Sequence, residues 1–309
     1  MAIFRSGRDY ATLWRSLRGS AVSAEGLYLQ AEIYARCAAR AEPEPHERET
    51  ELARFTASLA GRVTNASQRL GAYEKLNVEP CAGLDLGAFD SDTLHRMVAA
   101  AAEAGDARAR AWQLAERVER TRDDLVDRRP RGYELSAADF EEARQLLASR
   151  DPGVIEDLQG ILSSTLQHGS IQLDGTPVDP AAFHSALTLL ACEAGASCGP
   201  DSPQLLRECA YQGRCAVGTV YEYMYYYGSA PAQAQLIDNY RARLSAMLAS
   251  GDLSALTRAD VPAPPGYTMV FGGRRYVDVP PAASPVPAAA PAVPPPPQAD
   301  PPQPKSLAS

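Results

Sequence analysis

Histidine is scarce in this chain, four residues among 309, and the scarcity closes several chemical routes at once. His46, His95, His168 and His184 stand in no His-Glu-x-x-His run, in no locally supported Cys–His pair and beside no nucleophile elbow. Metalloprotease and triad-hydrolase chemistry therefore have no basis in local motifs. A glycine loop able to cradle phosphate is missing too, because Gly272-Gly273 reads as a hairpin turn with no helix after it. Basic residues do not accumulate: 30 Lys and Arg face 38 Asp and Glu, for a net charge of -8 and a pI near 5.2. A nucleic-acid partner needs a basic face, and Arg128, Arg129 and Arg131 make only a short solvated patch, so no nucleic acid is expected. No apolar run approaches the roughly 18 to 20 residues that span a bilayer. No membrane span is expected. Nor do the first 37 residues hold an apolar signal core, which taken alone points to the cytoplasm.

What is present points elsewhere. Of six cysteines, four sit in one stretch, as Cys192-x5-Cys198 and Cys209-x5-Cys215, each pair straddling a glycine, Gly195 and Gly213. A helix ending at such a glycine can turn back and bring the second cysteine to its last turn. Disulfides across the five-residue gaps are geometrically reasonable, and each stabilises by roughly 2 to 2.5 kcal/mol in the chain-entropy model. Crossed pairing, such as Cys192 with Cys209, gains roughly 3 kcal/mol and is not distinguished by so small a difference. Cys37 and Cys81 remain to join the N-terminal helical segments. Zinc is the rival reading, four thiolates with His184 nearby, although structural zinc knuckles usually place two to four residues between ligands. Paired cysteines suit an oxidising compartment. A leader removed ahead of the first residue would reconcile them with the apolar-poor N-terminus, and export is the expectation.

The first 260 residues read as helix after helix, about ten in all. Val22 to Ala41 and Glu47 to about Leu76 carry apolar groups at helical spacing, Asp90 and Asp106 begin further helices, and Ser136-x-x-Asp139 is a short capping box. Asp151-Pro152, Asp179-Pro180 and Ser202-Pro203 each place a capping oxygen before a proline at the first helical position, and Ser229-Ala230-Pro231 is a looser version. Ala100 to Glu116, with its turn at Gly105-Asp106, has the small-residue character of a solenoid helix pair, and Gly26 to Cys37 echoes it, but no fixed period links them. Two β-hairpins are expected, one from Ile171 to Val178 around Asp174-Gly175 and one from Thr268 to Val279 around Gly272-Gly273. Twelve prolines between Pro280 and Pro304 make the end of the chain a disordered polyproline-type tail. The expected fold is all-α: a compact helical array over 1–260, divisible near 130–135, then a hairpin appendage over 261–279 and the tail over 280–309.

Two groups of side chains remain to be placed. Tyr221, Tyr223, Tyr225, Tyr226 and Tyr227 crowd the segment before Ser229. On a helix they cannot share one core face, so some are expected at a packing or interaction surface. The adjacent acids Asp123-Asp124, Glu141-Glu142 and Glu156-Asp157 point about 100° apart on helices and read as solvated faces.

Val178-Asp179-Pro180, then Ala191-Cys192-x-x-Gly195-x-x-Cys198-Gly199-Pro200, then Cys209 and Cys215, resembles a pattern in uncharacterised helical proteins of Gram-negative bacteria. Gly105-Asp106 and Cys81-Ala82-Gly83 resemble their N-terminal halves, and the likeness covers roughly residues 20 to 258. Those proteins are mostly predicted to be exported, and many carry Sel1-like or tetratricopeptide-like helix pairs. The resemblance implies a helical fold and a periplasmic or secreted location, with no activity or catalytic residue to transfer. The expected function is a non-enzymatic, disulfide-stabilised interaction protein of the envelope or medium. Its partner is an unknown protein or envelope component, and it needs no cofactor. Two alternatives stand beside it: an enzyme acting on cell-wall polymer through carboxylates that converge only in the fold, and a zinc-stabilised cytoplasmic adaptor.

Overall fold

The protein is described here from a computed structural model. The described residues are 9–18, 23–38, 45–59, 65–126, 135–163 and 171–259, with the backbone of 270–271 and 274–275. The chain divides into two compact units, Met1–Ala263 and Pro264–Ser309. In the second, the described part is a two-stranded antiparallel ribbon that pairs Val270 with Arg275 and Phe271 with Arg274. Its Gly272-Gly273 turn, the flanking Met269 and Tyr276, and the proline-rich tail lie outside the described residues.

The first unit is helical. α1 (Tyr10–Leu17), α2 (Ala24–Cys37), α3 (Pro45–Leu59) and α4 (Ala66–Asn77) lead to a single 3₁₀ turn at Glu79–Cys81. α5 (Ser91–Glu103) and α6 (Ala107–Val126) form a helix pair, followed by α7 (Ala137–Leu147) and α8 (Pro152–Leu162). After a hairpin come α9 (Pro180–Glu193), α10 (Pro203–Gln212), α11 (Val220–Tyr226) and α12 (Pro231–Ser250). Twelve α-helices are thus described where about ten were expected. Part of the excess is the stretch from Glu47 to Leu76, which is two helices rather than one.

The helix starts are where capping chemistry puts them. Asp90, Ser136, Asp151, Asp179 and Ser202 each accept a backbone N–H from the first turn that follows. Such bonds satisfy donors that have no intrahelical partner. At α12 the looser signal works differently. Ala230 is the cap residue and its own N–H donates to the Gln233 side chain at 3.1 Å, while Ser229 Oγ donates back to the Met224 carbonyl.

The hairpin is β1 (Ile171–Leu173) with β2 (Thr176–Pro177), paired Gln172 to Pro177 and Leu173 to Thr176. Proline occupies the edge strand, where its missing donor breaks no ladder. A third strand went unforeseen: β3 (Leu256–Arg258) pairs with the free side of β1. Three residues are too few to show alternation in a sequence, so the partner on β1 decides the strand.

The main core joins α6, α7, α8, α9 and α12, with Ile155, Leu158, Phe183 and Leu187 closed from solvent at its centre. A second core between α2, α5 and α6 holds Tyr34, Leu94, Val98 and Ala101. α4 lies against α10, and its side chains close the end of that helix. Arg69 donates to the carbonyls of Ala210 and Tyr211, at 2.8 and 3.0 Å, and Asn65 Nδ2 donates to the Gly213 carbonyl at 2.7 Å. A cation on the last carbonyls of a helix complements both their lone pairs and the helix dipole. Replacing Arg69 by alanine is expected to lower stability by about 1.5 kcal/mol, the scale of hydrogen bonds to a charged group. The urea midpoint of the oxidised protein measures it, and an unchanged midpoint refutes it.

Candidate functional site

All six cysteines are paired: Cys37 with Cys81, Cys192 with Cys198, and Cys209 with Cys215. Their Cα atoms lie 5.4, 5.7 and 4.3 Å apart, respectively. The two short bridges use the local plan. α9 ends at Ala194 with Gly195 at φ 104°, and α10 ends at Gly213 with φ 74°. Each left-handed residue reverses the chain towards the preceding turn, a conformation open to glycine at no steric cost. Sulfurs spent on disulfides are not available as thiolates, so the four-cysteine zinc reading has no ligands. Among the described residues no cluster of three or more His, Cys, Asp or Glu could hold a metal ion.

The five tyrosines are sorted by the turn of α11. Val220 and Met224, one turn apart, face the core formed with α9, α10 and α12. Tyr221 and Tyr225 flank them on one side. Tyr221 donates to the Leu189 carbonyl at 3.4 Å, and Tyr225 to Asp238 Oδ1 at 2.5 Å. Partial burial and that carboxylate push the Tyr225 hydroxyl up to about 12. Tyr223 lies on the other side, where its hydroxyl accepts from Arg214 Nη1 at 3.2 Å. Tyr226 and Tyr227 turn outward, at 78% and 53% exposure. Three tyrosines therefore brace the helix, and two are presented by it.

The two histidines with described side chains have ordinary surroundings. His95 shares a hydrogen bond with Glu116. His168 lies outside the described residues, as does the side chain of His46. His184 Nδ1 lies 2.9 Å from Ser163 Oγ, which looks at first like a nucleophile beside its base. The serine proton is already committed, however, because Ser163 Oγ donates to the Gln159 carbonyl at 2.5 Å. His184 then donates to the serine oxygen and cannot activate it. Desolvation lowers the His184 pKa, which keeps the ring neutral.

The carboxylates bring one correction. Glu141 and Glu142 are partly exposed and pair with Arg144 and Arg117, respectively, in keeping with a solvated face. The side chains of Asp123 and Asp124 lie outside the described residues. Asp157, expected on a solvated face, instead points inward, and its Oδ2 is closed to solvent with no hydrogen-bond partner. The cue was available: Asp157 follows Val154 by three residues and precedes Ile161 by four, and both are buried. Its neighbours are Tyr28 and Glu32 on α2 and Arg108 near the start of α6. Burial foremost, then the charges of Glu32 and Glu156, hold the Asp157 carboxyl well above the usual carboxylate range. A raised acid beside a second carboxyl is the division of labour used in acid–base catalysis. Here, however, Glu32 Oε2 and Asp157 Oδ2 are both sealed from solvent, and so from a substrate in this conformation.

No protein-family model, curated protein or solved structure matches the chain.

Proposed function

We propose that this is an extracytoplasmic interaction protein whose docking face is the outward side of α11. The observation that carries the reading is the pair of exposed tyrosines, Tyr226 and Tyr227, at the C-terminal end of a helix whose other three tyrosines are tied down. Tyrosine gives a large apolar contact at low entropic cost, and it is enriched where interfaces concentrate their energy. Rigid presentation lowers the ordering cost of binding. Exposed Glu222 lies one turn before Tyr226, and exposed Asp238 holds Tyr225. The partner is accordingly a protein with basic residues around an apolar centre. Three disulfides fit a compartment that does not reduce them, either periplasm or medium.

The test places a photo-crosslinking residue at Tyr226 and, as a control, at Tyr211 of α10, which is also exposed at 46%. Position 226 should trap a defined partner that position 211 does not. The Tyr226→Ser/Tyr227→Ser variant should keep the wild-type urea midpoint yet bind that partner about 30-fold more weakly. Equal trapping from both positions, or full affinity in the variant, overturns the reading.

A further inference from the structure

Carboxylates crowd the seam between α2 and α8, where the Tyr28 side chain supplies Asp157 with one hydrogen bond. Glu25 Oε1, Glu32 Oε2 and Asp157 Oδ2 are all closed to solvent and accept no hydrogen bond. Glu32 uses its other oxygen for Arg36 Nε at 3.3 Å, and Glu25 Oε1 stands 3.8 Å from Arg108 Nη2, beyond hydrogen-bonding reach. An ionised carboxylate can only accept, so none of these orphan oxygens can supply another with a donor. A single proton removes the conflict: a neutral carboxyl donates, and one of the like charges disappears.

We propose that Asp157 carries a proton in the closed fold, and that this proton holds α2 against α8, so that its loss loosens the N-terminal helices. The groups around it come from each packed element. α2 supplies Glu25, Tyr28, Glu32 and Arg36; the start of α6 supplies Asp106 and Arg108; α8 supplies Asp151 and Glu156. His184 of α9 faces Ser163 at the far end of α8, and Glu141 and Arg144 of α7 are paired with each other. Glu32 and Glu156 oppose the Asp157 charge, while Tyr28 and Arg108 favour it without offsetting burial.

The sign of the pH dependence follows. The unfolded chain releases the Asp157 proton near the ordinary aspartate value of about 3.9, whereas the folded chain keeps it to higher pH. Between the two values the folded state holds the extra proton, so stability falls as pH rises. The latch is closed in acid and weakened towards alkaline pH.

The measurement is urea unfolding of the full oxidised chain at a series of pH values above about 4. Asp157→Asn keeps the shape and supplies a permanent N–H donor. In the wild type the unfolding constant should rise with pH, by at most about tenfold per pH unit, and Asp157→Asn should remove that component. Hydrogen-exchange protection of α2 amides should fall with pH in the wild type and hold steady in the variant. Parallel pH profiles for the two proteins overturn the proposal, as does a carbon-13 carboxyl titration of Asp157 in the ordinary aspartate range. If Asp157→Asn does not fold, Glu32→Gln gives the same answer. Removing the facing charge should shift the Asp157 titration to lower pH, and an unmoved titration refutes the latch.

Discussion

Replacing Cys37 and Cys81 together by alanine lowers the stability of the protein by about 4 kcal/mol, the largest expected loss from removing any one bridge. The bridge closes a separation of 44 residues, against 6 for each of the other two. In the chain-entropy model the cost of closing a loop rises with the logarithm of its length, so each short bridge contributes only about 2 kcal/mol. Structure adds to the difference. Cys37 is the last residue of α2, and Cys81 ends the 3₁₀ turn that follows α4. Both are buried with Tyr10 and Ile33 in a small cluster of their own. That cluster holds α1 and the end of α2 to the rest of the fold, and it has few apolar residues to spare. Losing the bridge removes its covalent tie as well as the loop constraint.

The measurement compares the urea midpoints of three double-alanine variants, one per bridge. The expected order places the Cys37/Cys81 variant well below the other two, which should lie close together. Equal losses across the three would show that loop length does not govern these bridges. Hydrogen exchange locates the effect: α1 and α2 should lose protection in the first variant, while α9 and α12 retain it.

The sequence made the helix ends and the cysteine pairs legible because their chemistry is local. An aspartate or serine before a proline carries its own reason for starting a helix, and Gly195 and Gly213 carry theirs for ending one. Cys37 and Cys81 were paired only as the two cysteines left over, since nothing within 44 residues of chain records that their ends meet. The tyrosine segment announced a helix that could not bury every ring, but which two rings stay outside depends on where α9, α10 and α12 lie. β3 and the inward Asp157 were missed for one shared reason. Each is decided by a partner far along the chain, β1 for the strand and α2 for the acid. Helical spacing from Val154 and Ile161 places Asp157 on the buried face of α8, but it has no way to report the Tyr28, Glu32 and Arg108 side chains that α2 and α6 bring against it.

Arg108 answers that placement, and its replacement by methionine is expected to cost about 3 to 5 kcal/mol, the range for breaking a buried ion pair from one side. The side chain is nearly closed from solvent, as is Asp106, and the two pair at 2.9 Å between Nη2 and Oδ2. Burial acts against the guanidinium charge, and the hydrogen bond and charge of Asp106, together with Asp151 and Tyr28, outweigh it, so the pKa is raised and Arg108 remains a cation. Three elements depend on that cation. Its guanidinium carbon lies 4.7 Å from the centre of the Tyr28 ring on α2. Its stem lies against the first turn of α8, where a methyl group at Gly153 would come within 3.0 Å of the arginine Cδ. At the head of α6, Asp106 uses Oδ1 to cap the N–H groups of Arg108 and Ala109 while its other oxygen holds the guanidinium. Methionine keeps much of the apolar stem and removes the charge, leaving Asp106 buried without its counter-ion. A double-mutant cycle separates the pair from the packing. Asp106→Asn in the Arg108→Met background should restore part of the loss, because a neutral amide needs no cation, although it caps the helix less well. Full additivity of the two substitutions would mean that the pair itself contributes nothing. A second readout ties the arginine to the seam it borders. Arg108 favours the charged form of Asp157, so its removal should raise the pH at which that carboxyl titrates and leave α2 fastened over a wider range.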